Sequence, residues 1–350
     1  LSMIVRSFID LFNVPTPWNE TLWIPMMVKV EYLGEMLTIY HVILGLEILF
    51  SASSFSSIMT SLLLGWKNKM LHPNLMIIVS AVNGFYLFSL LARFLQMVYE
   101  SRSIVFEGFY TFPIPWLVLI RCTAYFNLLL FFTAVLIERV FATLLIIDYE
   151  KYTRIHISIS ISSLSFSISF AVAFLLIFKQ LNPILLALFL LFINVISVVL
   201  FFLLLRYNKR LKTTKCFSSP SLTYCLSIRA QVKENIRTMN LLRIGGLVLV
   251  SAILLLVPSL LLIPYLFEYD ISMIQISTAS FNALASFVAL SASLTFSLSF
   301  EQYRRNFIPH CCTNKIYTTE WTRTWNRERA ERETRRHFEE IYKIWNGDAP

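Results

Sequence analysis

The chain has 350 residues, is 57% hydrophobic, and carries a formal net charge of +9 with a mean hydropathy of +0.66. That much apolar side chain cannot be hidden inside a water-soluble domain of ordinary surface, so the composition is that of a membrane protein. An enzyme is disfavoured, because the five His are scattered, no His-Glu-x-x-His or Cys-x-x-Cys occurs, and eight Gly leave little for phosphate-cradling loops. The same scatter offers no metal-ligand set and implies no cofactor.

A bilayer core about 30 Å thick is crossed by roughly 20 helical residues. Seven apolar runs of that length are predicted, over residues 37–66, 75–98, 116–137, 157–178, 184–205, 244–266 and 271–300. The expected fold is an all-α membrane protein, a seven-transmembrane helix bundle over residues 36–300, with an N-terminal segment of residues 1–35 and a charged tail of residues 301–350. The first residues do not combine a basic start, an apolar core and a small-residue cleavage site, so no removable leader is expected.

Lysine and arginine set the orientation, because cytoplasmic loops retain them during insertion. With the N-terminus outside and the C-terminus cytoplasmic, twenty-four of these side chains fall on the inner side and only Arg6, Lys29, Arg102 and Lys179 on the outer. Topology and anionic inner-leaflet lipid therefore account for the basic balance, and no nucleic-acid partner is needed. Asn19 lies in Asn19-Glu20-Thr21, the single Asn-x-Ser/Thr sequon, on the side this orientation exposes to glycosylation.

Glu47, Arg93 and Arg121 are ionisable residues inside the first three spans, all in their outer halves, and such groups are costly enough to be presumed functional. Glu47 is expected to pair with one of the two arginines, leaving a spare guanidinium to face an external cavity and favour carboxylate-bearing ligands. The alternative is that both arginines snorkel to the outer headgroups. Tyr125, Phe126 and Phe281 are candidates for the apolar remainder of a small-molecule pocket. Cys122 has no outer cysteine to pair with.

Glu138-Arg139 closes the third span about 22 residues after Trp116, at the expected cytoplasmic boundary. It reads either as a membrane-edge anchor or as a switch that pairs at rest and separates when the bundle opens for a partner. Residues 156–170, HISISISSLSFSISF, alternate Ser and apolar residues with a period of two, yet a lone strand in lipid would leave its backbone unpaired. A helix is expected, with Ser160, Ser163 and Ser167 as a packing face.

Arg229, Lys233 and Arg237 recur every fourth residue beside an apolar stripe of Val232, Ile236 and Met239, as an inward extension of the sixth span would place them. The basic edge suits either a docking protein or lipid headgroups. Pro258 removes a backbone hydrogen bond within the sixth span and is a candidate hinge. Cys311 and Cys312, just past Tyr303-Arg304-Arg305, sit where lipidation would anchor a membrane-lying helix.

IERVFATLLIIDYEKY, followed later by SIRAQVKENIRTMNLLR, resembles the nematode serpentine chemoreceptors of class epsilon, the Sre family. The shared features are the Glu138-Arg139 pair, Asp148-Tyr149-Glu150, and Gln231, Glu234, Asn235 and Ile236 before the sixth span. The resemblance implies a G-protein-coupled receptor in the plasma membrane of sensory neurons, detecting a small-molecule chemical ligand and coupling to a heterotrimeric G protein. It is silent on a homo- or hetero-dimer. The usual rhodopsin-like features are missing: the seventh span has Asn282 but no Asn-Pro-x-x-Tyr, and the second has Asn83 where an Asp would hold sodium. A seven-span transporter or ligand-gated channel is the alternative, since intramembrane charges also mark ion paths, although no internal repeat divides the chain.

Overall fold

The computed structural model describes residues 13–15, 21–23, 26–68, 72–101, 113–145, 155–214, 232–233, 235–236, 238–240, 242–243 and 271–299. Within these lie six long helices: α1 (Leu37–Asn68), α2 (Pro73–Glu100), α3 (Ile114–Leu144), α4 (Ile155–Ile177), α5 (Pro183–Thr214) and α6 (Ile271–Ser299). Each is long and apolar enough to cross a membrane. They correspond to the predicted spans one to five and seven; the sixth, 244–266, falls outside the described residues. The fold is an all-α membrane bundle. A small antiparallel hairpin precedes it, β1 (Asn13–Pro15) with β2 (Thr21–Trp23), in which Val14 lies opposite Leu22.

Local chemistry sets the helix ends. Pro73 opens α2, where its missing N–H costs nothing, and the His72 Nδ1 accepts the backbone N–H of Asn74 at 3.3 Å. Asn182 and Pro183 repeat the device at α5, with Asn182 Oδ1 accepting the N–H of Leu185 at 3.4 Å. The chain leaves α4 through Lys179 at φ 58°, where the N–H of Gln180 reaches the Leu175 carbonyl and that of Lys179 the Leu176 carbonyl. This is the Schellman closure, made here without glycine. Helices α3 and α5 run beyond their apolar stretches, to Leu144 and Thr214, because neither ERVFATL nor RYNKRLKTT contains a Gly or Pro to stop them.

Apolar side chains cover the outside of the bundle, and the buried polar residues are gathered inside it among a larger apolar core. On α1 the buried face is Glu47, Ser51, Ser54, Ile58 and Ser61, at alternating steps of four and three residues, while Val42, Leu46, Leu49 and Leu63 are exposed. Hydroxyls join this face to α6. Ser51 Oγ meets Ser286 Oγ at 2.9 Å, Ser57 Oγ meets Ser293 Oγ at 2.8 Å, and Ser61 Oγ meets Ser297 Oγ at 2.6 Å. Small side chains let two helices approach and then bond across the seam.

On α4 the buried serines are Ser158, Ser165 and Ser169, with Ser165 donating to Asn127 Oδ1 of α3 at 2.9 Å. The expected packing face of Ser160, Ser163 and Ser167 is wrong, for all three are exposed. Serines at every second position surround a helix turning 100° per residue, so the pattern names no face, and the neighbouring helix α3 selects one.

Candidate functional site

Two buried polar clusters lie at opposite ends of the bundle. At the end where the chain enters α1, Arg93 Nε and Nη2 donate to the two carboxylate oxygens of Glu47 at 2.6 and 2.8 Å, while Nη1 donates to Glu100 Oε1 at 2.7 Å. Glu100 also accepts the backbone N–H of Val28 at 3.0 Å and the Tyr40 hydroxyl at 3.3 Å. The predicted pairing of Glu47 with an arginine is thus met by Arg93. Glu100 was missed because the apolar run of the second span ends at Val98, whereas the helix continues to Glu100. Its signal was a carboxylate seven residues, or two turns, beyond Arg93.

Arg121 on α3 is 1% exposed. It donates through Nη2 to Asn282 Oδ1 at 2.9 Å and to the Tyr125 hydroxyl at 3.5 Å, and through Nη1 to the Met26 carbonyl at 3.3 Å and to Gln96 Oε1. No carboxylate lies within ion-pair distance of it among the described residues. Its Nε and the Gln96 Nε2 have no partner there either. Arg121 is therefore the guanidinium left over when Arg93 takes the carboxylates, and neither arginine snorkels outward. It is roofed by Met26, whose carbonyl also accepts from Asn282 Nδ2 at 3.1 Å, so it does not face an open cavity.

Beside the guanidinium stands an aromatic set. The Arg121 guanidinium lies 5.9 Å from the Tyr125 ring centre, and Tyr125 meets Phe281 and Tyr86 edge-on at 6.5 and 6.4 Å. Phe126 is elsewhere, packed against Ile114, Val118, Cys122, Ala173 and Ile177 between α3 and α4. Consecutive residues on a helix diverge by about 100°, so Tyr125 and Phe126 cannot both face the centre. The sequence reading missed Tyr86, Gln96 and Gln275, the last accepting the Lys29 N–H at 2.8 Å. Burial pushes the Lys29 ammonium below its ordinary pKa, with nearby Glu31 opposing the shift.

At the other end, Glu138 and Arg139 are 0% and 1% exposed. Arg139 folds back along its own helix to give Nε and Nη2 to the Glu138 carboxylate at 2.5 and 2.7 Å, and reaches with Nη1 to Asn235 Oδ1 at 3.2 Å. Thr143 Oγ1 donates to the Arg139 carbonyl at 2.8 Å and accepts from Asn208 Nδ2 of α5 at 3.2 Å. The pair is an internal knot joining α3 to the stretch around Asn235, and its full burial excludes a simple membrane-edge anchor. Where residues 232–243 are described they are helical, with Val232, Asn235, Thr238, Met239 and Leu242 buried and Lys233 and Arg243 exposed. Asn19, Arg229, Arg237, Pro258, Cys311 and Cys312 lie outside the described residues. No group of three His, Cys, Asp or Glu that could hold a metal occurs among the described residues.

The segments carrying Arg139 and Asn235 are the two whose motifs suggested a family. The model of that family, Sre G protein-coupled chemoreceptor, matches residues 8–346. The chain is 29% identical over 238 residues to serpentine receptor class epsilon-1 of Caenorhabditis elegans, across 63% of this chain and 64% of that protein. It is 32% identical over 107 residues to serpentine receptor class epsilon-21 of the same organism, across 30% of this chain and 29% of that protein. The chain thus spans just under two thirds of the first relative and less than a third of the second. A family match over nearly its whole length, on a bundle of membrane-capable helices, makes the chain a member of the Sre family of G protein-coupled chemoreceptors.

Proposed function

We propose that the chain is a chemosensory receptor of the plasma membrane of sensory neurons, with its N-terminus outside, that detects an external small molecule and signals to a heterotrimeric G protein at its Arg139 end. The observation that carries this reading is the Arg139–Asn235 hydrogen bond. It ties the end of α3 to the segment preceding the sixth span with a guanidinium that is wholly buried, and signalling on this reading requires that tie to break. A partner inserting there would meet the exposed Lys233, with Arg229 and Arg237 on the same helical period.

At the opposite end the ligand is a molecule bearing a carboxylate. Arg121 is the receiving group, because it is desolvated, held in place by neutral acceptors, and lacks an acidic partner among the described residues. Tyr125 and Phe281 would flank the ligand's apolar part, and displacement of the Met26 carbonyl would admit it. Pro258 serves as the hinge of the sixth span, Asn19 as a glycosylation site, and Cys311 and Cys312 as lipid anchors.

The test is expression in a reporter cell challenged with a panel of volatile and soluble acids. Agonist-driven second-messenger output that disappears in Arg139→Ala, with surface expression intact, is the expected result. Agonist-evoked currents that persist without G protein would instead assign the chain to the channels. A C-terminal epitope should stain only after permeabilisation, and staining of intact cells would overturn the orientation.

A further inference from the structure

Among the described residues other than glycine, only Met26 and Lys179 have a positive φ, and Met26 stands at 71°. An L side chain enters that left-handed region at a steric cost, so the surroundings must hold it there. The Met26 carbonyl supplies the hold. It accepts from Arg121 Nη1 at 3.3 Å and from Asn282 Nδ2 at 3.1 Å. The two donors converge on one oxygen because Arg121 Nη2 also donates to Asn282 Oδ1 at 2.9 Å, which turns the amide so that its NH2 points at Met26. Arg121 and Asn282 thus form a cradle of two N–H groups, 1% and 0% exposed.

Residues 26–32 lie across this cradle as a strap, gripped by its backbone. The Val28 N–H goes to Glu100 of α2 at 3.0 Å, the Lys29 N–H to Gln275 of α6 at 2.8 Å, and the Tyr32 carbonyl accepts the Ser272 hydroxyl of α6 at 2.8 Å. A neutral carbonyl uses the cradle poorly. Both of its contacts are longer than the roughly 2.7–2.9 Å at which a charged oxygen sits against a guanidinium N–H.

We propose that the Met26 carbonyl stands in for one oxygen of a carboxylate ligand, that Asn282 reads this oxygen together with Arg121, and that the strap competes with the ligand for the place. The inference rests on the acid reading of Arg121 given above. Release of the strap returns Met26 to an ordinary backbone conformation, which offsets part of the cost of opening.

Hydrogen exchange and binding on the purified full-length protein in lipid nanodiscs test both halves, with benzoate as probe and benzamide as its neutral counterpart. Without probe, the amides of residues 26–32 should exchange slowly in the native protein. They should exchange about tenfold faster in Val28→Pro, which lacks the N–H given to Glu100, and in Asn282→Asp, whose carboxylate would face the Met26 carbonyl. Benzoate should speed exchange of the native strap, and benzamide should not. Benzoate should bind Val28→Pro about tenfold more tightly than the native protein, because the competitor is gone. It should not bind Asn282→Asp, whose carboxylate takes Arg121 for itself. Two variants that both free the strap therefore move binding in opposite directions, which a merely structural role would not produce. Lys29→Pro and Asn282→Leu replace them if either fails to fold. Strap amides exchanging at the native rate in Asn282→Asp overturn the cradle's hold on the strap. Benzoate bound without faster strap exchange, or bound with native affinity by Asn282→Asp, overturns the shared place while leaving the acid reading standing. Benzoate binding to neither the native protein nor Val28→Pro overturns the acid reading and the competition with it, whereas the strap itself is decided by exchange without probe.

Discussion

Arg93 on α2 closes on both carboxylate oxygens of Glu47 on α1, at 2.6 and 2.8 Å, with neither side chain more than 3% exposed. A two-toothed contact of this kind sets the rotation of each helix as well as their distance. It also occupies Glu47 fully, which is why Arg121, one helix away, is left to neutral partners.

Removing Arg93 would strand two buried carboxylates, Glu47 and Glu100. Breaking a buried pair from one side typically costs about 3–5 kcal/mol, so Arg93→Leu should lower the unfolding midpoint sharply and reduce the amount of receptor at the surface. Glu47→Gln should be milder, because Glu100 still holds the guanidinium. Midpoints measured on detergent-solubilised protein, equal for native and Arg93→Leu, would show that the cluster carries no stability.

Asn235→Ala removes the hydrogen bond that ties Arg139 to the segment before the sixth span. A hydrogen bond to a charged group contributes about 1.5–3 kcal/mol, and about 1.4 kcal/mol already shifts a two-state balance tenfold. Ligand-independent nucleotide exchange on the G protein should therefore rise roughly tenfold in this variant. Unchanged basal exchange would mean that the knot does not hold the resting state.

Arg121→Gln keeps a hydrogen-bonding amide and deletes the charge. If a carboxylate ligand pairs with Arg121, potency for acids should fall by about ten- to a hundredfold, the effect of losing a charged hydrogen bond, while responses to neutral agonists persist. Arg121→Lys should recover part of the loss, since an ammonium supplies charge without the planar fork. Equal dose–response curves for native and Arg121→Gln would discard the acid reading.

The hydroxyl seam between α1 and α6 should be individually weak and collectively useful. Ser57→Ala deletes one interhelical bond, worth on average about 0.6 kcal/mol in membrane helices, and should cost little. Ser57→Leu forces a larger group into the same seam and should cost about 1–3 kcal/mol. Thermal midpoints that rank these two variants in the opposite order would remove the seam from the account of packing.

Much of this molecule is legible in one dimension. The six described spans begin near the starts of their apolar runs because a bilayer admits few alternatives, with Pro73 and Pro183 marking two of those starts, although α3 and α5 run on past the ends of theirs. The family segments are legible too, and the pairing of Arg139 with Asn235 unites them in space. What the one-dimensional pattern misjudged has a common cause. Glu100 fell outside an apolar window that the helix ignores, Phe126 turned away from the centre by one helical step, and the serines of α4 surround the helix so evenly that only a neighbour could choose among them.

The sequence by itself determined the solvent, where the described crossings start, and which charges had to be accommodated within them, since all of these follow from transfer free energies that each residue carries alone. Only the tertiary structure decided the partnerships: that Arg93 and not Arg121 takes Glu47, that Arg139 reaches Asn235, and that the Tyr86 hydroxyl has no partner among the described residues. Pairing depends on the rotation and height of helices against one another, and those are set by packing many small contacts at once, a quantity that no single segment contains.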